Sequence, residues 1–283
     1  LGAPLFELNA EEEKHQRAAV GGASAAAFEG LMREFEQRAS AAQSAQALLS
    51  VCESSARALF EEGRRSHSDG NLYFTRLKMR VFLKKKIADI AARWHNDGSQ
   101  RLLRDALQAL EAGSRNWTGI DFRRGDGRKK ILISGFDPFH GASTNFSGEL
   151  ALRFHGRELV GASGKGSALV QAALFPVLYS EFDAGAVENF FRPHIGEVDA
   201  VLTCSLDGRL EEAGGFFAVE RFAANWRNSA RIPDNFFRMQ APSRKILPQG
   251  ADFLEDTLPT ESLIFEGETQ QNDFILYRQD YRI

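Results

Sequence analysis

The stretch Lys129–Gly148, KKILISGFDPFHGASTNFSG, decides how the chain is read. An apolar run, KILISGF, ends abruptly in two phenylalanines that bracket Asp-Pro, and small polar residues follow. A continuous apolar run of this length bounded by turn residues predicts a buried strand. Downstream the pattern alternates. SGELALRFHG reads as a helix, ALVQAALFPV as a strand, SEFDAGAVENFFRPHI as a helix and VDAVLTCS as a further apolar strand. Strands alternating with helices of ten to fifteen residues predict an α/β fold: a mostly parallel sheet with helices on both faces, of the phosphorylase or hydrolase kind. In such sheets ligands gather beyond the carboxyl ends of the strands, which draws attention to GFDPFHG and CSLDGR.

Upstream the character differs. Residues 1–112 read as an all-α region: Phe28, Leu31, Phe35 and Ala39 recur at helical spacing, as do Leu72, Leu77, Val81 and Ile87. His15, His67 and His95 stand alone on polar stretches and are expected to be solvated. The basic run RLKMRVFLKKK, Arg76–Lys86, alternates with apolar residues and is expected to form a solvated helix face. Residues 113–128, GSRNWTGIDFRRGDGR, mix Gly, Asp, Asn and Arg without period and read as a linker or long loop. Residues 129–283 form the α/β domain.

Composition narrows the function. The 283 residues carry a net charge of −3 and are 43% hydrophobic, enough for one sizeable core and a smaller one. No concentrated basic face argues for nucleic acid as a partner, and no apolar run reaches the ~20 residues that span a bilayer. Cys52 and Cys204 are too far apart for a metal motif or a disulfide framework. No metal site or cofactor is predicted. The compartment stays open between cytoplasmic and secreted after signal removal, and so does the oligomeric state. Asn116-Trp-Thr fits a glycosylation tripeptide of the kind that chance supplies easily.

Several motifs occur together in a telling order: GFDPF with Asn145 and Ser147 behind it, FPV at Phe175–Val177, VDAVLTCSLDGR, VERFAANW with RIPDN, and GADFLEDTLP. Over roughly Lys129 to Pro259 the chain thereby resembles the pyroglutamyl peptidases, or pyrrolidone-carboxylate peptidases. The resemblance implies a cysteine peptidase acting on peptides with an N-terminal pyroglutamate. It implies that Phe136 and Phe139 line a slot for the flat, uncharged lactam, that Asn145 orients the loop or serves polar groups beside the substrate, and that Glu220 orients the catalytic histidine. On periodicity alone both phenylalanines read as core residues, and Glu220 as a surface acid beside Arg221 or Arg227.

The pattern also breaks. His140 replaces a glycine of the family motif, and LEEAGGFF lengthens the stretch between Arg209 and Glu220. The family's nucleophilic cysteine and its histidine follow the TLP element, and this sequence has neither after Cys204 and His194. The resemblance therefore places them beyond Ile283, with the α/β domain incomplete at its C-terminus. The alternatives are an inactive relative that binds peptide ends or a protein partner through its helical region, and an α/β protein of another kind. Cys204, closing an apolar strand, reads as a buried thiol before it reads as a nucleophile.

Overall fold

The computed structural model describes residues 6–15, 18, 20–94, 98–122, 127–139, 142–161, 164, 166–205, 222–227, 233–239, 244–245, 249–255 and 257. Two compact units emerge, one of Leu1–Ser205 with Asp234–Arg238, the other of Leu206–Pro233 with Met239–Ile283.

The first unit begins with five helices: α1 (Ala10–His15), α2 (Ala25–Ala41), α3 (Ala45–Ser66), α4 (Asp69–Trp94) and α5 (Gly98–Ser114). Their ends follow ordinary capping chemistry. Ser44 accepts a hydrogen bond from Ala47 N to start α3, and His67 closes it in the left-handed region, φ 51°, with its N–H on Gly63 O. The predicted stripe of α2 is the buried one: Phe28, Phe35 and Ala39 are fully enclosed. Leu72, Leu77, Val81 and Ile87 are likewise buried on α4.

The sheet follows. Strand β1 (Lys129–Phe136) is flanked in parallel by β3 (Ser167–Phe175) and β4 (Ala200–Thr203), and β2 (Glu158–Val160) adds an antiparallel edge, giving the order β2-β3-β1-β4. Alternate residues face opposite sides, as the pleat requires. Ile133, Val170, Ala172 and Leu174 join helix α6 (Phe146–Phe154) and the N-terminal helices in one core. Leu132, Ala173 and Phe175 pack on the other side with Phe122 and with Phe190 and Phe191 of α8 (Ala186–Phe191). The fold is therefore α/β, mostly parallel, with helices on both faces, and the N-terminal helices form part of one covering layer.

Four sequence readings meet a different arrangement. The helix expected over SEFDAGAVENFFRPHI is two short ones, α7 (Tyr179–Asp183) and α8, broken where Gly185 takes φ +77°. Strand β4 is an edge among the described strands, with Val201 exposed rather than buried. The described part of the 113–128 segment is packed rather than loose: Ser114, Arg115, Asn116 and Phe122 are buried. Asn116 donates to Ala172 O at 2.8 Å, which takes its side chain away from any sugar. Finally, His15 is only partly solvated; it lies half-buried against the rings of Tyr73 and Phe74 at 6.3 and 5.6 Å.

In the second unit, β5 (Phe222–Ala224) pairs antiparallel with β8 (Phe253–Glu255), and β6 (Trp226–Arg227) with β7 (Arg244–Lys245). Asn225 sits between β5 and β6, donating from its backbone to Asp252 O at 2.7 Å and from its side chain to Ala251 O at 2.8 Å.

Candidate functional site

Strands β1 and β3 end together. Beyond them four motif segments, distant in sequence, are tied by hydrogen bonds. Asp137 N donates to Phe175 O at 2.9 Å, and Asn145 Nδ2 donates to Asp137 O at 2.8 Å. Asn235 donates from its side chain to Pro138 O at 2.9 Å and from its backbone to Val177 O at 3.0 Å. Asp234 accepts from Tyr179 N at 3.0 Å and, through its other oxygen, from Phe236 N and Arg238 N at 2.9 Å each. GFDPF, Asn145, FPV and Asp234-Asn235 thus make a single assembly at the carboxyl edge of the sheet.

Asn145 holds this assembly as a cap. Its Oδ1 accepts from Ser147 N at 3.0 Å and Ser147 Oγ at 2.9 Å, starting α6 while its amide grips Asp137. All three of its side-chain bonds run to Asp137 and Ser147. Replacing it with alanine removes the cap and one buried carbonyl's partner. A loss of about 1–2 kcal/mol is expected from denaturant unfolding, and an unchanged midpoint would contradict the role. Phe136 is half-buried, its ring 6.2 Å from that of Phe175 and 5.7 Å from that of Phe182, and Phe139 is half-buried beside Pro138. Glu220, Arg209 and His140 lie outside the described residues.

The helical region reaches into the same loop. Asp69, at the start of α4, accepts from Asn145 N at 2.6 Å and from Thr144 Oγ at 2.6 Å, while the same hydroxyl lies 2.8 Å from Glu149 Oε1. One hydroxyl proton cannot serve two carboxylates, so a proton on Asp69 would complete the chain. Burial pushes Asp69 up to about 6, against the pull of the bonds from Thr144 and Asn145. A carboxyl raised in the fold binds its proton more tightly folded than unfolded, so this group's contribution falls as pH rises from about 4 to about 6 and is constant above. Half-buried His155, lowered to about 4 by desolvation and accepting from Ala172 N, acts with the opposite sign over a similar range. The informative quantity is therefore the stability of the wild type minus that of Asp69→Asn. It should shrink by roughly 2–3 kcal/mol between pH 4 and 6.5, and a flat difference would show that Asp69 does not titrate there.

Below Asp69, α4 carries a buried charge cluster. Arg76 donates from Nη2 to Asp137 Oδ1 at 2.6 Å, and Arg115 Nη1 approaches Asp137 Oδ2 at 2.6 Å, with side chains only 1%, 5% and 2% exposed for Arg76, Arg115 and Asp137. Glu111 is held by Arg80 and by Arg115 Nε at 2.8 Å, and Glu12 by Arg80 at 2.8 Å and Lys84 at 2.6 Å. Burial alone would raise the Glu111 carboxyl, but Arg115, Arg80 and Arg76 outweigh it and hold it well below the usual range. The basic run of α4 is thus not a solvated face over Arg76, Arg80 and Lys84. Its partners come from α1, α5 and the loop after β1, too remote in sequence for helical periodicity to reveal.

These side chains wall a cavity of about 520 Å³. Tyr73, Arg76, Leu77, Arg80 and Lys84 of α4, Leu107, Glu111 and Ala112 of α5, Trp117, and Pro176 and Leu178 beyond β3 line it. Neither cysteine is activated. Cys52 is enclosed in α3 and pushed by burial up to about 12, and burial likewise raises Cys204 just past β4, the reverse of what an attacking thiolate requires. Among the described residues no helix is long and apolar enough to cross a membrane, and no group of three His, Cys, Asp or Glu side chains is placed to hold a metal ion.

An α/β sheet carrying its loop assembly beyond the carboxyl ends of β1 and β3 defines the class. Within it, the α/β part is similar to the pyrrolidone-carboxylate peptidases and divergent from them. Residues 130–264 match the family described as PA0049, C-terminal domain. The pyrrolidone-carboxylate peptidase of Chromobacterium violaceum is 33% identical over 138 residues, 48% of this chain and 58% of the relative. That of Erwinia tasmaniensis is 32% identical over 138 residues, 48% and 57%. The chain thus spans somewhat more than half the length of these relatives. Pyroglutamyl peptidase I of Bacillus amyloliquefaciens superposes with a TM-score of 0.42 at 25% identity, over 53% of this chain and 66% of that one. A mutant pyrrolidone carboxyl peptidase of the hyperthermophile Pyrococcus furiosus gives 0.43 at 23%, over 53% and 65%.

Proposed function

We propose that the α/β part recognises the N-terminal pyroglutamate of peptides and belongs to a cysteine peptidase that removes it. The reading is supported above all by the convergence of GFDPF, Asn145, FPV and Asp234-Asn235 on one hydrogen-bonded assembly at the carboxyl edge of the sheet. A lactam is small, flat and neutral, and asks for aromatic walls with a few backbone groups for its amide. Phe139, and Phe136 through its exposed part, are the walls in this reading, with Pro138 fixing the turn. In this reading Glu220 orients the histidine that serves the nucleophilic cysteine.

The test is a comparison of substrates on protein that includes any residues following Ile283. Release of pyroglutamate from a pyroglutamyl peptide is expected. Phe139→Ala should raise KM about tenfold while leaving the unfolding midpoint in place, and Glu220→Gln should lower kcat with little change in KM. Binding without turnover would favour the inactive binding relative. An unchanged KM in Phe139→Ala would remove that ring from the slot.

A further inference from the structure

We propose that one face of α4 is a splint for the loop beyond β1, and that Asp69 and Tyr73 on it are positioning residues of the site this loop forms. The ligand is that of the lactam reading, on which this part rests; the splint stands on its own contacts. Three successive peptide planes of GFDPF are pinned. The Phe136–Asp137 plane is held by Asp137 N on Phe175 O at 2.9 Å. The Asp137–Pro138 plane is held through Asp137 O by the Asn145 side chain at 2.8 Å. The Pro138–Phe139 plane is held through Pro138 O by the Asn235 side chain at 2.9 Å. A peptide unit is planar, so this last bond sets the direction in which the chain enters Phe139. Two asparagine side chains thus fix the backbone that presents the ring.

Both asparagines are in turn held from α4. Asp69 Oδ2 accepts from Asn145 N at 2.6 Å. The buried Tyr73 hydroxyl accepts from Asn235 Nδ2 at 3.4 Å, the longest bond of the set, and gives its own proton to Glu11 Oε1 at 2.7 Å. With that proton committed, the phenol oxygen can only accept, which suits the second hydrogen of the Asn235 amide. Further along the same helix Arg76 donates to Asp137 Oδ1 at 2.6 Å. Positions 69, 73 and 76 stand at i, i+4 and i+7, a single stripe of an α-helix. Gly70 lets the stripe come this near. A Cβ there would fall inside the carbonyl of Ser143, so the first turn of α4 rests directly on the loop backbone.

The supports come from outside the part that resembles a known family. Asp69, Tyr73 and Arg76 all precede residues 130–264, which the family model matches. This stripe of α4 is committed to the chain's own loop and is therefore not a surface for a partner. A binding constellation must be held to within about 0.5 Å by neighbours that are themselves locked by packing. Asp69, Tyr73 and Arg76, all buried, meet that condition.

The experiment compares Tyr73→Phe, which removes one oxygen and keeps the ring, with Ile87→Val. Ile87 is buried in the helical core about 20 Å along α4 from Tyr73, so its truncation costs stability without reaching the loop. Amide hydrogen exchange at Asp137 and Asn235, taken relative to that of α3, should quicken about tenfold in Tyr73→Phe and stay near the wild-type ratio in Ile87→Val. Asp69→Ala should quicken exchange at Asn145 in the same way. Calorimetric titration with a pyroglutamyl peptide and its prolyl counterpart should then show the wild-type preference reduced about tenfold in Tyr73→Phe and kept in Ile87→Val. Loop exchange no faster in Tyr73→Phe than in Ile87→Val would overturn the splint. Faster exchange with an undiminished preference would overturn the positioning role. A wild type without any preference would instead overturn the lactam reading, and the exchange ratios alone would then decide whether α4 holds the loop.

Discussion

Asp137→Ala is expected to cost about 3–5 kcal/mol of stability, because it strands two buried guanidinium groups at once. Arg76 and Arg115 converge on its two carboxylate oxygens, each at 2.6 Å, where almost no solvent reaches. Arg115 retains Glu111, but Arg76 keeps only the 3.6 Å approach to that residue. The pair as such is a weaker source of stability than its rupture suggests, since desolvating the charges offsets much of their attraction. Hence Arg76→Met with Asp137→Leu should recover most of the loss, Arg115 falling back on Glu111. Urea unfolding of the two variants checks this. A loss below about 1 kcal/mol in Asp137→Ala would mean that water already screens the cluster. Because Asp137 lies inside GFDPF, the same substitution should also loosen the loop for any ligand it holds.

The second large effect is expected at Gly135, the glycine of GFDPF. A Cβ there would fall inside the carbonyl of Ser147 and 3.0 Å from Ala151 Cβ, where α6 lies directly on β1. Backbone cannot swing aside as a side chain tip can, so Gly135→Ala should destabilise by about 3 kcal/mol, at the upper end of overpacking costs. Gly30 offers the contrast. It sits within α2 with nothing inside 4 Å of a built Cβ, and Gly30→Ala should stabilise by about 0.5–1 kcal/mol through helix propensity alone. If Gly135→Ala proved neutral, the close approach of α6 to β1 would be wrong.

These residues show how far the sequence could be read. The order β1, α6, β3 and the buried stripes of α2 and α4 were legible because each depends on local periodicity. So was the importance of GFDPF, through its place at a strand end and its resemblance to a known motif. The charge cluster was not. Arg76 and Asp137 are 61 positions apart, and a basic run on a helix carries the same pattern whether it meets water or distant carboxylates. The break between α7 and α8 turned on one glycine in the left-handed region, inside a stretch whose composition suited a continuous helix. The cap at Asn145 was no part of what the resemblance implied. An Asn before a helical run signals a cap, but its grip on Asp137 O depends on the fold.

The most direct test of the account is the affinity of the chain for two peptides that differ only in their first residue, pyroglutamate in one and proline in the other. They share ring size and differ in the lactam carbonyl and in the charge of the nitrogen. The pyroglutamyl peptide should bind saturably, the prolyl peptide at least tenfold more weakly, and the difference should be lost in Phe139→Ala. Equal affinity for the two peptides, or a preference that survives Phe139→Ala, would contradict a lactam slot at the end of β1.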